Sequence, residues 1–547
     1  MHLLSFEDTV RQSRATPARL LPLLLAAALS AGCGSPGDTG SGGSGGAAGS
    51  GAQGGGGSGG IGGTGTGGTD TGTGGTSTGG TGGGGFVTSC ALGDTVACAD
   101  LAGIYASGQA SCRPSGSGYD VRECKLIEIA NAQRVREIVQ PASRDPSRWK
   151  DATCSQGGDF VFDISFPAGM DLHDAHTWQL ELQGGGFCFS DGSDAYANGS
   201  EDCPVRSEHL VASVDQNGNP LPADGTTEKD PAGGAAGFEE TAVLVHAYYC
   251  SNDFWTGTRT RAEGVPIPYP ENGPTTDWSF AGHINVEAMV ATLVERYGLD
   301  DDDVDLLVHA RGSSAGGWGT LNNLWFYRSA LPKTAAARRL RASAWAAFIP
   351  FTWDDPDFPP LHLPGAKQEE LFAHAVDMWK SVLTPSCVAQ NAASPGRCYS
   401  ADWTYELLTD APPQGLGIPL LVFQNSQDQL YMDRFASLPI VDGASAKELA
   451  ARSEWVDKMN TALGLTPGQP NASSRVKWLY AVSDPRTSAN DTNVHPPQDY
   501  ELSSPLGPDS SVQAMTQEFL SGPADATKVV TFDCDWVLSG GQHGACP

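Results

Sequence analysis

Apolar residues gather in short, evenly spaced runs over the later part of the chain, and glycine, serine and threonine fill the earlier part. Six runs have strand length: 177–183 (TWQLELQ), 241–247 (TAVLVHA), 304–310 (VDLLVHA), 344–350 (AWAAFIP), 418–424 (IPLLVFQ) and 476–482 (VKWLYAV). Most are rich in β-branched or aromatic residues, the mark of a strand buried on a pleated surface. Between them the apolar positions change period. Ile284, Ala288, Ala291 and Val294 fall at helical spacing within 283–297, and 369–379, 446–463 and 318–331 read the same way. Strands alternating with helices predict an α/β fold, a largely parallel sheet with helices on both faces. The irregular stretches 189–240 and 351–365 read as long insertions on that one sheet, within a domain spanning 126–547.

The residues before this domain carry no such periodicity. Residues 34–85 hold 29 of the 69 glycines and a single large aliphatic, Ile61. Such a segment buries too little to offset its backbone entropy, so it reads as a flexible linker spanning roughly 40 Å as a random coil. Ahead of it, Arg11, Arg14 and Arg19 lead into an apolar stretch ending Ser30-Ala31-Gly32-Cys33. A basic start, a short apolar run and small residues predict a secretory signal over 1–33. The sequence Ser-Ala-Gly-Cys before a linker resembles a bacterial lipoprotein signal, with Cys33 as the candidate lipidated residue; an ordinary cleaved signal is the alternative. A lipid at Cys33 would be the only membrane contact, since no later run is long and apolar enough to span a bilayer.

Twelve further cysteines fit export, because disulfides persist in oxidising compartments. None stands in a C-x-x-C pair, which argues against a zinc ribbon. Proximity along the chain suggests Cys188–Cys203, Cys387–Cys398 and Cys534–Cys546, with the first four stapling a small segment, 86–125. A net charge of −30 argues against nucleic acid or anionic lipid as a partner.

Candidate chemistry begins after the third run. Gly312-Ser313-Ser314-Ala315-Gly316-Gly317 stands between a predicted strand and a predicted helix. G-x-S-x-G in that setting is a nucleophile elbow, a serine carried on a tight strand-to-helix turn. The same pattern recurs at Ser44, Ser58 and Ser77 inside the linker, where no strand precedes it. Gly184-Gly185-Gly186 closes the first run, where successive backbone N–H groups can face a developing oxyanion.

Four motifs in order resemble those of the pectin acetylesterases and the related Notum carboxylesterases: LQGGGFC at 182–188, HAYYCSNDFWTG at 246–257, Phe280-Ala281-Gly282, and GSSAGG at 312–317. They cover roughly residues 150–330; the C-terminal part matches only loosely. The resemblance implies an α/β-hydrolase-like serine esterase needing no cofactor or metal. It implies Ser314 as nucleophile, and Gly185, Gly186 and Ala315 as backbone oxyanion donors. It implies an acetylated polysaccharide, pectin among them, or another ester as substrate, with deacetylation the expected reaction. The acid and base follow the nucleophile in the order Asp, His. Asp428, in the turn after 418–424, takes the acid position, with Asp433 as the rival. Only His495 and His543 lie beyond it. His495 follows a predicted strand and is preferred; His543 stands near the C-terminus. Trp255, Trp278, Trp318 and Phe187 are candidates for lining an acyl or sugar site or, equally, for the core. The pair His173 and His176 reads as loop. The chain is expected to act as a monomer, secreted or at the cell surface. The competing class is a tethered carbohydrate-binding lipoprotein, or an inactive pseudoenzyme, on the same fold.

Overall fold

The computed structural model describes residues 91–97, 105–112, 125–126, 133–139, 149–155, 157–158, 160–166, 175–188, 242–268, 275–300, 306–348, 353–359, 368–438, 444–465, 472–483 and 511–533. All fall in the unit Gly80–Pro547 into which the chain divides. The signal, the linker, Cys33, His173, His495, His543, the expected insertion 189–240 and about half of the one at 351–365 lie outside the described residues. Residues 353–359 form a turn.

Nine strands form one sheet: β1 (Gln133–Val139), β2 (Phe160–Phe166), β3 (Thr177–Leu182), β4 (Val243–Ala247), β5 (Leu307–Ser313), β6 (Leu340–Trp345), β7 (Leu420–Asn425), β8 (Trp478–Ser483) and β9 (Lys528–Asp533). Across the sheet they run β1-β2-β4-β3-β5-β6-β7-β8-β9. Strand β2 is antiparallel to both its neighbours. From β4 to β9 every pairing is parallel. The chain leaving β3 goes to β4 on one side, and the chain leaving β5 goes to β6 on the other. A crevice opens where connections diverge in this way, at the carboxyl ends of the strands. Gly184 and Ser314 lie just past those two ends.

Strands β6 and β7 are buried at every position, as expected of parallel strands covered on both faces. Side chains alternate between faces, and the two buried clusters follow that alternation. Trp345, Leu421, Phe423, Trp478 and Tyr480 pack with Val512, Met515 and Phe519 of a helix at Val512–Ser521. Ala344, Leu420, Val422 and Leu479 belong to the other cluster, with Trp318, Leu321 and Leu324. Those last three lie on a helix at Ala315–Ala330, packed on β5 and β6.

The sheet centre breaks the apolar rule on one face. Glu181 of β3 binds Arg311 of β5 at 2.9 Å and lies 3.5 Å from His246 of β4. Burial alone would raise the Glu181 carboxyl, but the charges and hydrogen bonds of Arg311 and His246 outweigh it and hold it near 2. Along the same face His309 meets the Ser343 hydroxyl at 2.9 Å. Burial, then the charges of Arg311 and Arg341, push this imidazole down to about 3, so it is neutral. This row shifts two strands from their expected places. Strand β5 runs on through Arg311 and Ser313, and β6 starts at Leu340, before the apolar run at 344–350. Buried charge pairing, invisible to a hydropathy pattern, makes polar residues good strand positions here.

Cys387–Cys398 is present, as proximity suggests. Cys154–Cys250 is a disulfide that proximity does not suggest, closing 96 residues. Cys112 and Cys188 are disulfide-bonded too; Cys203, Cys534 and Cys546 lie outside the described residues. Among the described residues no helix is long and apolar enough to cross a membrane.

Candidate active site

Strand β5 ends at Ser313 and the helix Ala315–Ala330 begins two residues later. Ser314 alone makes the turn, with φ 52° and ψ −124°. A non-glycine residue there stores strain, which persists only where the surroundings hold it. They do: Ser314 N–H donates to the Trp345 carbonyl at 2.9 Å, and the Ser314 carbonyl accepts from Trp318 N–H at 3.0 Å. Ser314 is 9 % exposed, nearly buried at the carboxyl ends of the strands. Ala315 is the first helical residue, so its N–H belongs to the unpaired first turn at the positive end of the helix.

The glycine loop touches this turn backbone to backbone. A Cβ on Gly316 would overlap the Leu182 carbonyl, and a Cβ on Gly184 would come 2.5 Å from the Ser313 carbonyl oxygen. No larger residue fits either place. The loop is held by its oxygen atoms. Trp255 Nε1 donates to the Gln183 carbonyl at 3.0 Å, Tyr249 Oη to the Gly186 carbonyl at 3.1 Å and Trp379 Nε1 to the Cys188 carbonyl at 2.6 Å. Among the described residues no acceptor meets the N–H of Gly185 or Gly186. The loop therefore has its carbonyls engaged and amides to offer, the polarity an oxyanion requires.

Asp253 ties the neighbouring segments together. Its carboxylate accepts from Ser251 Oγ at 2.6 Å and from the N–H groups of Trp255, Gly257 and Gly282 at 3.0, 3.1 and 2.7 Å. Burial raises its pKa even though all four donors pull the other way. The knot holds Asn252, Phe254 and Trp255 at positive φ and so aims the Trp255 indole at the loop.

Asp428 is fully buried in the turn after β7, and Tyr431 N–H donates to its Oδ1 at 3.2 Å. That is an N-cap contact for the helix Gln429–Ala436, so Asp428 has a structural role whatever else it does. Tyr431, at the start of that helix, accepts Trp318 Nε1–H at 2.9 Å and donates to the Ala346 carbonyl, which ties the Asp428 turn to the helix after Ser314 and to the end of β6. Ser314, Gly184–Gly186, Ala315 and Asp428 thus stand at one edge of the sheet. Both candidate bases lie outside the described residues, as does the Asp433 side chain. Ser426 N–H, two residues before Asp428, donates to the Val482 carbonyl at the end of β8 at 2.7 Å. The chain leaving β8 toward His495 therefore starts beside the Asp428 turn.

Sequence reasoning missed Tyr249, Asp253 and Tyr431. The first two stand inside the family-like segment 246–257, which was a usable signal; Tyr431 had none. Trp255, Trp278 and Trp318 are core residues with no exposed surface, and only Phe187 of the four aromatic candidates is partly open. Phe187 stacks on Phe435 at 6.0 Å and lies 4.8 Å from Phe254. His176 precedes β3 as a loop residue, and among the described residues no cluster of His, Cys, Asp and Glu is set to hold a metal ion. A cleft of about 520 Å³ opens at the other end of the sheet, by Leu420, Lys477 and Trp478, and contains none of these groups.

Residues 137–350 match the family model described as Pectinacetylesterase. The chain is similar to the palmitoleoyl-protein carboxylesterase NOTUM of Drosophila melanogaster, 25 % identical over 354 residues, 64 % of this chain and 43 % of that protein. It is similar to pectin acetylesterase 5 of Arabidopsis thaliana, 25 % identical over 233 residues, 42 % of this chain and 48 % of that one. It thus spans less than half the length of these curated relatives. A solved structure of the Wnt deacylase Notum from Drosophila aligns with a TM-score of 0.48 at 19 % identity, covering 72 % of this chain and 94 % of that one.

Proposed function

Starting from a chain whose residues 137–350 place it among the relatives of pectin acetylesterases and Notum carboxylesterases, we propose that it is a secreted serine esterase. It cleaves carboxylic esters, acetyl esters of pectin or of another cell-wall polysaccharide, through an acyl-enzyme. The observation that carries this reading is the strained Ser314 turn pressed against a glycine loop whose Gly185 and Gly186 N–H groups meet no acceptor among the described residues.

In the proposed reaction His495 takes the Ser314 proton as Oγ attacks the ester carbonyl. Amides of Gly185, Gly186 and Ala315 bind the oxyanion. The carbon–oxygen bond to the alcohol breaks, and His495 returns the proton to the alcohol. Water then repeats the sequence and releases the acid. Asp428 orients His495 and stabilises its charged form. The chain leads to His495 from the end of β8, beside the Asp428 turn, and this favours that base over His543, which follows β9, the last strand of the sheet. The disulfides support an exported protein, and Cys33 is proposed as its lipid anchor.

Hydrolysis of p-nitrophenyl acetate tests the reading. Ser314→Ala and His495→Ala abolish activity, while His543→Ala retains it. Pure wild-type protein without activity on aryl acetates or acetylated glycans would instead mark a binding protein or pseudoenzyme.

A further inference from the structure

Two buried, nitrogen-rich side chains stand side by side where β5 meets β6. His309 and Arg341 are register partners on these parallel strands, so both leave the same face of the sheet. Both lean on Phe519 of the helix Val512–Ser521. The imidazole centroid lies 6.3 Å from that ring and the guanidinium carbon 5.6 Å from it. His309 is 1 % exposed and Arg341 8 %. His309 Nδ1 and Arg341 Nε and Nη1 are shielded from solvent and have no hydrogen-bond partner among the described residues. Buried polar atoms are rarely left so, and each such group calls for an explanation.

Counting protons shows what these atoms require. Arg341 Nη2 donates to the Gly522 carbonyl at 2.6 Å. A guanidinium only donates, so Nε and Nη1 are N–H groups without an acceptor. His309 has one hydrogen bond, between Nε2 and Ser343 Oγ. If Nε2 were the donor, the Ser343 proton and a bare Nδ1 would both go unanswered. With Ser343 donating, only Nδ1–H is left over, and that tautomer is favoured. All the unanswered atoms are then N–H donors. Charge makes the same demand. Glu181 pairs with Arg311, but the charges acting on Arg341 are those of Arg338 and Arg339, both cations. The end of the helix at Gly522 supplies only about half a unit of negative charge. A buried guanidinium balanced no further is costly. Water would answer the N–H groups but bring no charge.

We propose that His309 and Arg341 bind a small monovalent anion of the chloride class against Phe519, as a structural ligand of the sheet. A halide accepts from every side and asks for no donor in return, which suits a site that offers N–H groups alone. The site stands apart from the reading of Ser314 as nucleophile.

Denaturant unfolding of the full chain, with chloride titrated against gluconate at constant ionic strength, tests it. Above the dissociation constant, each tenfold rise in chloride should raise the folded-to-unfolded ratio tenfold. A ratio indifferent to chloride overturns the site. Arg341→Met keeps a stem against Phe519 without the charge, and its ratio should stay level. A chloride response that survives in folded Arg341→Met places the anion elsewhere and also overturns the site. If Arg341→Met does not fold, wild-type crystals grown in sodium bromide decide. An anomalous bromide peak in contact with His309 Nδ1 and Arg341 supports the site, and water in that position overturns it.

Discussion

Tyr249 Oη donates to the carbonyl of Gly186 at 3.1 Å and accepts the N–H of Phe254 at 2.8 Å. One hydroxyl thus fixes the glycine loop to the strained segment behind it. Tyr249→Phe frees the Gly186 peptide to rotate away from the oxyanion. We expect kcat on p-nitrophenyl acetate to fall roughly tenfold with KM unchanged, because the lost contact matters only as charge develops. A rise in KM at constant kcat would assign Tyr249 to substrate binding instead.

Gly316→Ala sets a methyl against the Leu182 carbonyl. The turn and the loop must then separate, and a displacement near 1 Å at reacting atoms costs about a hundredfold in rate. Activity should drop at least that far, and the melting temperature should fall with it. A variant with wild-type kcat would show that the two backbones need not touch.

His309 makes the fold sensitive to acid. In the unfolded chain its imidazole takes up a proton near the ordinary value of 6.5, but in the fold not until about 3. Between those limits the unfolded state binds one more proton, so stability falls as pH drops, by about 1.4 kcal/mol per pH unit. Glu181, held near 2 against an ordinary 4.5, adds the same trend below pH 4.5. Denaturant melts of His309→Gln should show a flatter dependence between pH 6.5 and 4.5 than wild type. Identical slopes would mean that His309 charges within the fold.

Cys154–Cys250 closes 96 residues and ends one residue before the Asp253 knot. Replacing both cysteines by alanine should cost about 2–5 kcal/mol of stability. Esterase activity should also be lost at temperatures below the melting transition, as the knot loosens first. Activity that persists up to global unfolding would separate the disulfide from the site.

The charge of −30 bears on the choice of polymer. An acidic protein and polygalacturonate repel each other, and salt screens the repulsion over about 10 Å at 0.1 M. Rates on acetylated pectin should therefore rise with salt, while those on a neutral acetylated glycan stay level. Equal salt responses would point to a local basic docking site.

The parts legible in the sequence are those whose burial is apolar. Strands β3, β7 and β8 and the helices at 282–297 and 446–462 stand within two residues of where hydropathy puts them. Strand β6 was displaced because Arg341 and Ser343 belong to the buried polar row. Strands β1, β2 and β9 escaped notice because charged or polar residues interrupt Gln133–Val139, Phe160–Phe166 and Lys528–Asp533. At the site, Ser314 and Gly184–Gly186 were readable because the tight turn and close backbone contact demand glycines at fixed spacing. Tyr431 was not, because it reaches Trp318 and Ala346 only through tertiary packing, and no spacing encodes that approach.

Glu181 and Arg311 are hydrogen-bonded neighbours although 130 residues separate them along the chain. Closing so wide a loop is entropically costly, and parallel pairings of this kind form slowly. The glycine loop and the Ser314 turn cannot meet until β3 and β5 have paired. An unfolded chain emerging from synthesis therefore contains the serine without the environment that would make it reactive. The order of the strands works as a time lock, because the serine turn and the glycine loop come together only once this long-range pairing has formed.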